Sequence, residues 1–318
     1  MSAIETHGLT KFYGDLCAVQ DLSLTVDNEI FGLLGPNGSG KTTTVLMLTT
    51  LLTPTRGSGT VCGHDIVRNG TGVRKKISYV PQDMAVDIKL TGRENVLFFA
   101  YLYGVPAPKD RADEALAVME LSDRADDLIR TYSGGMRRRL ELAQALVHDP
   151  AVLFLDEPTI GLDVAARKKI WEHIRALKDR GMTVFVTTHY MDEANQFCDR
   201  VGIINKGNLV ALGPPPDLKA SLMRDVVTVL TDGPCPDPEL PGITKIGSEG
   251  SETSFSAENG REALLVLADT LRSRGVAVKE MCLREPTLDD VFLQAVGLQE
   301  DSAGFDYQKF RTMLRRRK

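Results

Sequence analysis

The chain has 318 residues, 42% hydrophobic and 25% charged, enough for one large and one small globular domain with ordinary cores. Its net charge of −5 excludes the broad basic field that draws nucleic acid. No apolar run is long enough to span a bilayer, and residues 1–9 lack the basic and apolar regions of a secretory signal. The expectation is therefore a cytoplasmic chain that needs a partner for any membrane work.

In chain order, residues 4–9 and 22–26 predict short strands, and Asp27-Asn28 is a turn signal. Residues 30–34 are a short apolar run of the kind that makes a buried strand. Gly35-Pro36-Asn37-Gly38-Ser39-Gly40-Lys41-Thr42 follows, and it fits the G-x-x-x-x-G-K-[ST] phosphate-binding loop of nucleotide triphosphatases. Glycines let backbone N–H groups converge on phosphate oxygens, Lys41 brings a compact charge to the β- and γ-phosphates, and the Thr42 hydroxyl can ligate Mg²⁺. A helix is predicted over 43–52, so Thr43 and its neighbours add a helix N-terminus to the site. Thr53-Pro54-Thr55-Arg56-Gly57 breaks the chain, and 77–80 predicts a strand ending at Pro81-Gln82.

From Thr91 the period becomes helical. Thr91 and Glu94 have capping-box spacing ahead of Val96, Leu97, Phe99, Ala100 and Tyr103. Further helices are predicted over 113–121 and from about 135 to 147, which makes residues 88–150 a helical insert. The apolar residues of the first insert helix have two readings, insert core or a partner-facing surface. Sheet signals resume with a strand over 152–155 closed by Asp156-Glu157-Pro158, a helix over 165–179 capped at Gly181, and a strand over 183–187 ending at His189. A short helix over 191–198 and a strand over 201–204 complete the pattern. Alternating strands and helices imply an α/β domain with a mostly parallel sheet, spanning 1–215. Gly213-Pro214-Pro215-Pro216 predicts a hinge or turn. Beyond it, strands over 226–230, 243–246, 253–256 and 276–282, with helices over 260–274 and 288–295, predict a small α+β domain over 216–297. A basic tail covers 298–318, where Phe310, Met313 and Leu314 share a helical face. A solvated tail and a membrane- or partner-docking tail are both open readings. Five scattered cysteines with no C-x-x-C pair argue against a disulfide framework or a zinc site.

Two further features narrow the class. A hydrophobic strand ending in two acids suits Asp156 to hold Mg²⁺ through its water shell and Glu157 to polarise an attacking water. Tyr132-Ser133-Gly134-Gly135-Met136 leads into a helix, and here the chain resembles the ATP-binding subunits of ABC transporters, whose signature is usually written L-S-G-G-Q. The Ser-Gly-Gly core is kept, and Tyr132 and Met136 replace the outer residues. The Ser133 hydroxyl, the Gly134 and Gly135 amides and a helix dipole make a second anion site. The resemblance implies that this site meets the γ-phosphate bound by the other subunit of a dimer. It also implies that Gln82 senses γ-phosphate and Mg²⁺ beside the membrane subunit, that Asp163 in Gly161-Leu162-Asp163 crosses the dimer interface, and that His189 contacts γ-phosphate. Tyr13 would stack on adenine, with Phe12 as the alternative ring.

The stretch from Leu283 to Leu293 resembles the end of the C-terminal domain of daunorubicin-resistance-type ATP-binding subunits, which pair with a separate membrane protein. A structural helix packing its own small domain is the other reading of that stretch. The expected function is a Mg²⁺-dependent ATPase subunit of an exporter of drug-like or other hydrophobic compounds, dimeric, on the cytoplasmic face of the membrane. A soluble ABC-type ATPase, an importer subunit and a nucleotide-gated scaffold are the rivals.

Overall fold

A computed structural model describes residues 2–221, 225–233, 235–284, 286–292 and 295. The sequence expectations at Glu285, Leu293 and the 298–318 tail lie outside the described residues. The chain divides into two compact units, Met1–Pro215 and Pro216–Lys318.

The first unit opens with a hairpin of β1 (Ile4–Tyr13) and β2 (Leu16–Val26). Both strands run longer than the apolar runs that predicted them. Their extra residues mix apolar and polar side chains without a clean alternation, from buried Thr10 and Val19 to exposed Tyr13 and Leu16, and β1 and β2 pair through register shifts after Thr6 and Leu9. β3 (Ile30–Leu34) lies where the sequence predicts it and is buried along its whole length. The helix α1 (Lys41–Leu48) is shorter than predicted, since Thr50 at φ 64° takes the chain out of the helix. β4 (Arg56–Val61) and β5 (His64–Asp65), followed by the short α2 (Gly70–Arg74), were not predicted. β4 pairs with β1 through its backbone and presents little apolar side chain.

After β6 (Ile77–Val80) comes the insert, built from α3 (Gly92–Leu102), α4 (Pro108–Val118) and α5 (Gly134–Leu146). α3 has the expected capping box between Thr91 and Glu94. α4 begins five residues before the predicted start of 113, because Pro108 serves as a first-turn residue, where its missing N–H costs nothing. The α/β pattern continues with β7 (Val152–Asp156), α6 (Val164–Asp179), β8 (Thr183–Thr188), α7 (Met191–Phe197), β9 (Arg200–Asn205) and β10 (Asn208–Gly213). In the predicted hinge or turn at Gly213–Pro216, Gly213 ends β10 and Pro215 starts the helix α8 (Pro215–Ser221), which leaves Pro214 alone outside regular structure; the boundary between the two units falls at Pro215/Pro216.

The central sheet has the order β10-β9-β3-β8-β7-β6 and is parallel except for β10. Phe31, Phe185 and Phe154 sit in register on three adjacent strands, with ring centroids 5.3 and 5.5 Å apart. Strands β3, β7 and β8 are buried throughout, as a sheet covered on both faces requires. In such a sheet, ligand chemistry collects beyond the carboxyl ends of the strands. Here those ends carry Gly35, Asp156-Glu157 and His189, far apart in sequence and adjacent in space.

The second unit is an antiparallel sheet of β11 (Asp225–Thr231), β12 (Ile243–Glu249), β13 (Glu252–Ala257) and, after the helix α9 (Gly260–Ser273), β14 (Val278–Arg284). Its order is β12-β13-β11-β14, and Ala263, Leu267 and Leu271 of α9 pack on Val227, Val229 and Phe255. Arg284 holds Asp290 in a two-pronged ion pair at 2.6 and 3.0 Å, and Thr287 N–H donates to Asp290 at 2.8 Å. Residues 288–292 are helical and bury Leu288, Val291 and Phe292. These contacts give the motif at Leu283–Phe292 a structural job within its own unit. Burial pushes the Asp290 carboxyl up, but the Arg284 and Thr287 contacts outweigh it and hold the group below its ordinary value. A carboxyl lowered by folding adds stability above its unfolded value, and that stability is lost as pH falls through the folded one. Asp290→Asn is therefore expected to cost about 2 kcal/mol at pH 7. In thermal melts the gap from the parent should close in acid, and a gap independent of pH would contradict the ion pair.

Candidate functional site

The loop from Gly35 to Gly40 leaves the buried end of β3 and enters α1. Gly40 caps α1 at φ 109°, and a Cβ there would lie 2.4 Å from the Ala18 carbonyl oxygen, so the position admits only glycine. Pro36, Asn37 and Gly38 line the outer rim, and Asn37 and Gly38 are exposed, as is Thr42 at the start of α1. Thr43 is half-buried beside it. The Ser39 hydroxyl is buried yet has no hydrogen-bond partner within the chain. An orphaned buried hydroxyl inside a glycine cradle fits a loop built to receive an anion.

Lys41 lies almost wholly out of water. Its Nζ donates to Gly35 O at 2.8 Å and Pro36 O at 3.1 Å, and it stands 3.4 Å from Glu157 Oε1. Burial pulls the ammonium below the ordinary lysine value, and Glu157 offsets part of that. His189 Nδ1 is 3.0 Å from Glu157 Oε2. Burial raises the Glu157 carboxyl, but the bond and charge of His189, with Lys41, outweigh it and leave the group below its ordinary value. The Glu157 backbone sits at φ 48° and its N–H donates to Thr187 Oγ1 at 3.1 Å, which turns its side chain away from that of Asp156. Asp156 accepts from the Thr187 hydroxyl and from Tyr79, whose own hydroxyl is pushed up to about 12 by burial and by the Asp156 charge. Two adjacent acids thus occupy two environments.

The structure brings Gly35, Ser39, Gly40, Lys41, Asp156, Glu157 and His189 into one cluster. Other predicted residues stand outside it. Tyr13 ends β1 with its ring half-exposed beside Lys11, and Phe12 lies under Arg56. Gln82 is exposed on the loop after β6, and no described hydrogen bond ties its side chain to the cluster. Ser133 caps α5 by accepting from Met136 N–H at 3.2 Å, with Ser133 and Gly134 exposed. A Cβ on Gly135 would meet Ala166 at 2.9 Å, so α5 and α6 approach closely at their starts. Asp163 caps α6 and is also exposed. Tyr132 is buried, donates its hydroxyl to Arg124 O at 2.6 Å, and presses on Gly92, where a Cβ would lie 2.4 Å from the Tyr132 oxygen.

The sequence did not single out Glu193. It is buried, and its Oε2 accepts from Thr159 at 2.7 Å and from the Trp171 indole at 3.0 Å, while Arg167 stands 3.8 Å from Oε1. Burial raises its carboxyl above the ordinary value, against the pull of those partners. A carboxyl raised by folding stabilises fully below its unfolded value and loses that contribution as pH rises through the folded one. Glu193→Gln keeps an acceptor and removes the ionisation. Its melting temperature is expected to exceed the parent's by roughly 2–4 °C at pH 7, with no excess in acid. A lower melting temperature at pH 7 would mean that pairing with Arg167 outweighs burial.

A phosphate loop, a paired-acid strand end and a histidine on the next strand define a P-loop nucleoside triphosphatase. Comparison with known proteins narrows this. Residues 19–160 match the ABC transporter family, and residues 213–296 match the C-terminal domain of ATP-binding proteins DrrA1-3. The chain is 40% identical to the daunorubicin resistance ATP-binding protein DrrA3 of Streptomyces coeruleorubidus, over 93% of this chain and 96% of that protein. It is 44% identical to the Nod factor export ATP-binding protein I of Paraburkholderia xenovorans (strain LB400), over 93% and 97% of the two chains. Among solved structures, the ATP-binding cassette MJ0796, in a dimeric post-hydrolysis state bound to ADP and Pi, superposes with a TM-score of 0.60 at 28% identity. That match covers 66% of this chain and 98% of the other. The chain belongs to the ATP-hydrolysing subunits of ABC transporters, in the drug-resistance exporter branch. No helix among the described residues is long and apolar enough to cross a membrane.

Proposed function

We propose that this chain is the Mg²⁺-dependent motor of an exporter for drug-like or other hydrophobic compounds, working as a dimer against a separate permease at the cytoplasmic face of the membrane. The observation that carries the reading is the buried Lys41–Glu157–His189 cluster at the mouth of the glycine loop. Lys41 leaves Glu157 and the loop carbonyls when it turns to phosphate oxygens, and this frees the Glu157 carboxylate from one of its two cationic neighbours. Glu157 then holds and polarises the attacking water, with His189 fixing its orientation. Phosphoryl transfer needs positioning and charge neutralisation more than covalent chemistry, and these residues supply both.

Among the described residues no cluster of three His, Cys, Asp or Glu side chains could hold a metal. Magnesium retains water and takes few protein ligands, so Thr42 and Asp156, with Gln82 once it turned inward, would hold it beside the substrate's own oxygens. It supplies charge neutralisation at the phosphates. Tyr13 offers a half-exposed ring for adenine.

Ser133, Gly134 and Asp163 lie exposed at helix starts, with Gly135 half-buried beside them, where a second subunit can be met. The membrane partner is assigned to an apolar surface. On α3, Val96 and Ala100 turn into the core, but Phe98, Tyr101 and Leu102 are 60–68% exposed, near Met84 and Ile88 in sequence. Exposed apolar clusters of this kind mark protein contacts.

Two measurements test the reading. Specific ATPase activity should rise with protein concentration, and a flat dependence would count against a dimeric site. The tagged chain should co-purify with a polytopic membrane protein from gently solubilised native membranes. Release of that protein by Phe98→Ser with Tyr101→Ser would support α3 as its dock, while ribosomes or soluble partners instead would overturn the transport assignment.

A further inference from the structure

Arg138 lies in α5, five residues after Ser133, and only 3% of its side chain meets solvent. A guanidinium out of water must spend its N–H groups on acceptors. Its Nε donates to Pro158 O at 3.0 Å and its Nη2 to Asp156 O at 3.2 Å. Its Nη1 donates to Pro81 O at 2.8 Å and to Glu141 Oε2 at 2.9 Å. Glu141 is equally buried, and its other oxygen accepts from Ala85 N–H at 2.6 Å. The spacing of three residues puts both side chains on one face of α5.

The pair therefore grips two backbone segments, each on both sides of a proposed functional residue. Pro81 and Ala85 bracket Gln82, and Asp156 and Pro158 bracket Glu157. An ion pair serving only α5 would have no need of four backbone groups on two other segments. We infer that the Arg138–Glu141 pair is the positioning element that ties the loop carrying Gln82 to the strand end carrying Glu157. A displacement of one segment is thereby imposed on the other. The inference rests on the roles proposed above for Gln82 and Glu157. The chemistry favours arginine for this work. Its planar fork fixes several donors at once, whereas a lysine ammonium is a single point on a flexible stem. Charge-assisted bonds in a buried setting are short and stiff.

Hydrogen exchange of the full chain, read by mass spectrometry, tests the link. In a Glu157→Gln background, added Mg-ATP should slow exchange in both 81–86 and 156–160. With Arg138→Lys added, nucleotide affinity should stay within about twofold and 156–160 should still be protected, but the response of 81–86 should be lost. With Glu157 intact, Arg138→Lys should lower kcat by about tenfold or more while KM moves little, as expected of lost alignment. A parallel Arg138→Met/Glu141→Leu variant removes both buried charges together, leaves neither ion unpaired, and should show the same uncoupling if arginine-to-lysine exchange harms folding. Continued protection of 81–86 in these variants would overturn the inference. A Glu157→Gln chain that binds Mg-ATP yet shows no protection of 81–86 would overturn the role of Gln82 and the inference with it. A chain that does not bind Mg-ATP would overturn the site itself.

Discussion

Glu157→Gln should bind Mg-ATP and hydrolyse it about 10²–10⁴-fold more slowly than the parent, the range that loss of a positioned base produces. Glutamine matches glutamate in shape, so the φ 48° turn and the backbone bond to Thr187 survive. What disappears is the charge that faces Lys41 at 3.4 Å and His189 at 3.0 Å. Lys41 then keeps only the Gly35 and Pro36 carbonyls, which compete less well for an ammonium than a carboxylate does, so nucleotide affinity should hold or rise. If turnover is what reopens the proposed dimer, the variant should run as a dimer on size exclusion with Mg-ATP and as a monomer without it. Phosphate release and elution volume are the readouts. Turnover within a few-fold of the parent would remove Glu157 from the chemistry.

Gly40→Ala is expected to damage folding and nucleotide binding together. Two costs coincide there. The φ of 109° is one that an L side chain adopts only with strain, worth about 1–3 kcal/mol. The new Cβ would also sit 2.4 Å from Ala18 O and 3.2 Å from Val19 Cγ2, neither of which can retreat without disturbing β2. The loop must shift, and its amides then no longer converge on one point. A melting temperature lower by roughly 5–10 °C is expected, together with a loss of nucleotide affinity of about tenfold or more. Gly38→Ala is the control. Gly38 has φ 80° but open space around its Cβ, so only the strain applies. Equal effects in the two variants would mean that the close approach to Ala18 is unimportant.

Much of this was legible from the sequence because the decisive elements are locally consistent. Residues 30–34 and 77–80 are apolar runs bounded by turn formers, and both are strands over those same residues. Thr91 and Glu94 carry their helix start in their own side chains. Elements held by backbone pairing alone were invisible. Arg56-Gly57-Ser58-Gly59 has no pattern of its own, yet it pairs with β1 because an existing edge offers it partners. The three prolines after Gly213 suggested a break, and the unit boundary falls among them, but a proline at a first turn also starts a helix as readily as it ends one.

At the site, the phosphate loop, the paired acids and the histidine could be placed by motif, since each needs particular atoms. Their convergence came from the register of β3, β7 and β8, which no local pattern encodes. Arg138 was hidden for a different reason. In Arg137-Arg138-Arg139 it reads as one of a run of solvated charges, and only the structure shows that one of the three points inward. Glu193 was hidden likewise, as an acid in a helical first turn whose partners, Thr159 and Trp171, come from distant segments.

The tyrosine at position 132 has a mechanical consequence. Its ring fills the gap over Gly92 and its hydroxyl is anchored at Arg124, so the starts of α3 and α5 and the short helical turn Ser122–Arg124 that follows α4 are wedged together. A push delivered on the outer surface of α3 is then not absorbed by bending near its point of application. Its load should be carried toward Ser133, the residue next to this wedge. Tyr132→Ala should loosen this wedge without altering the exposed face of α3 or the Ser133 cap.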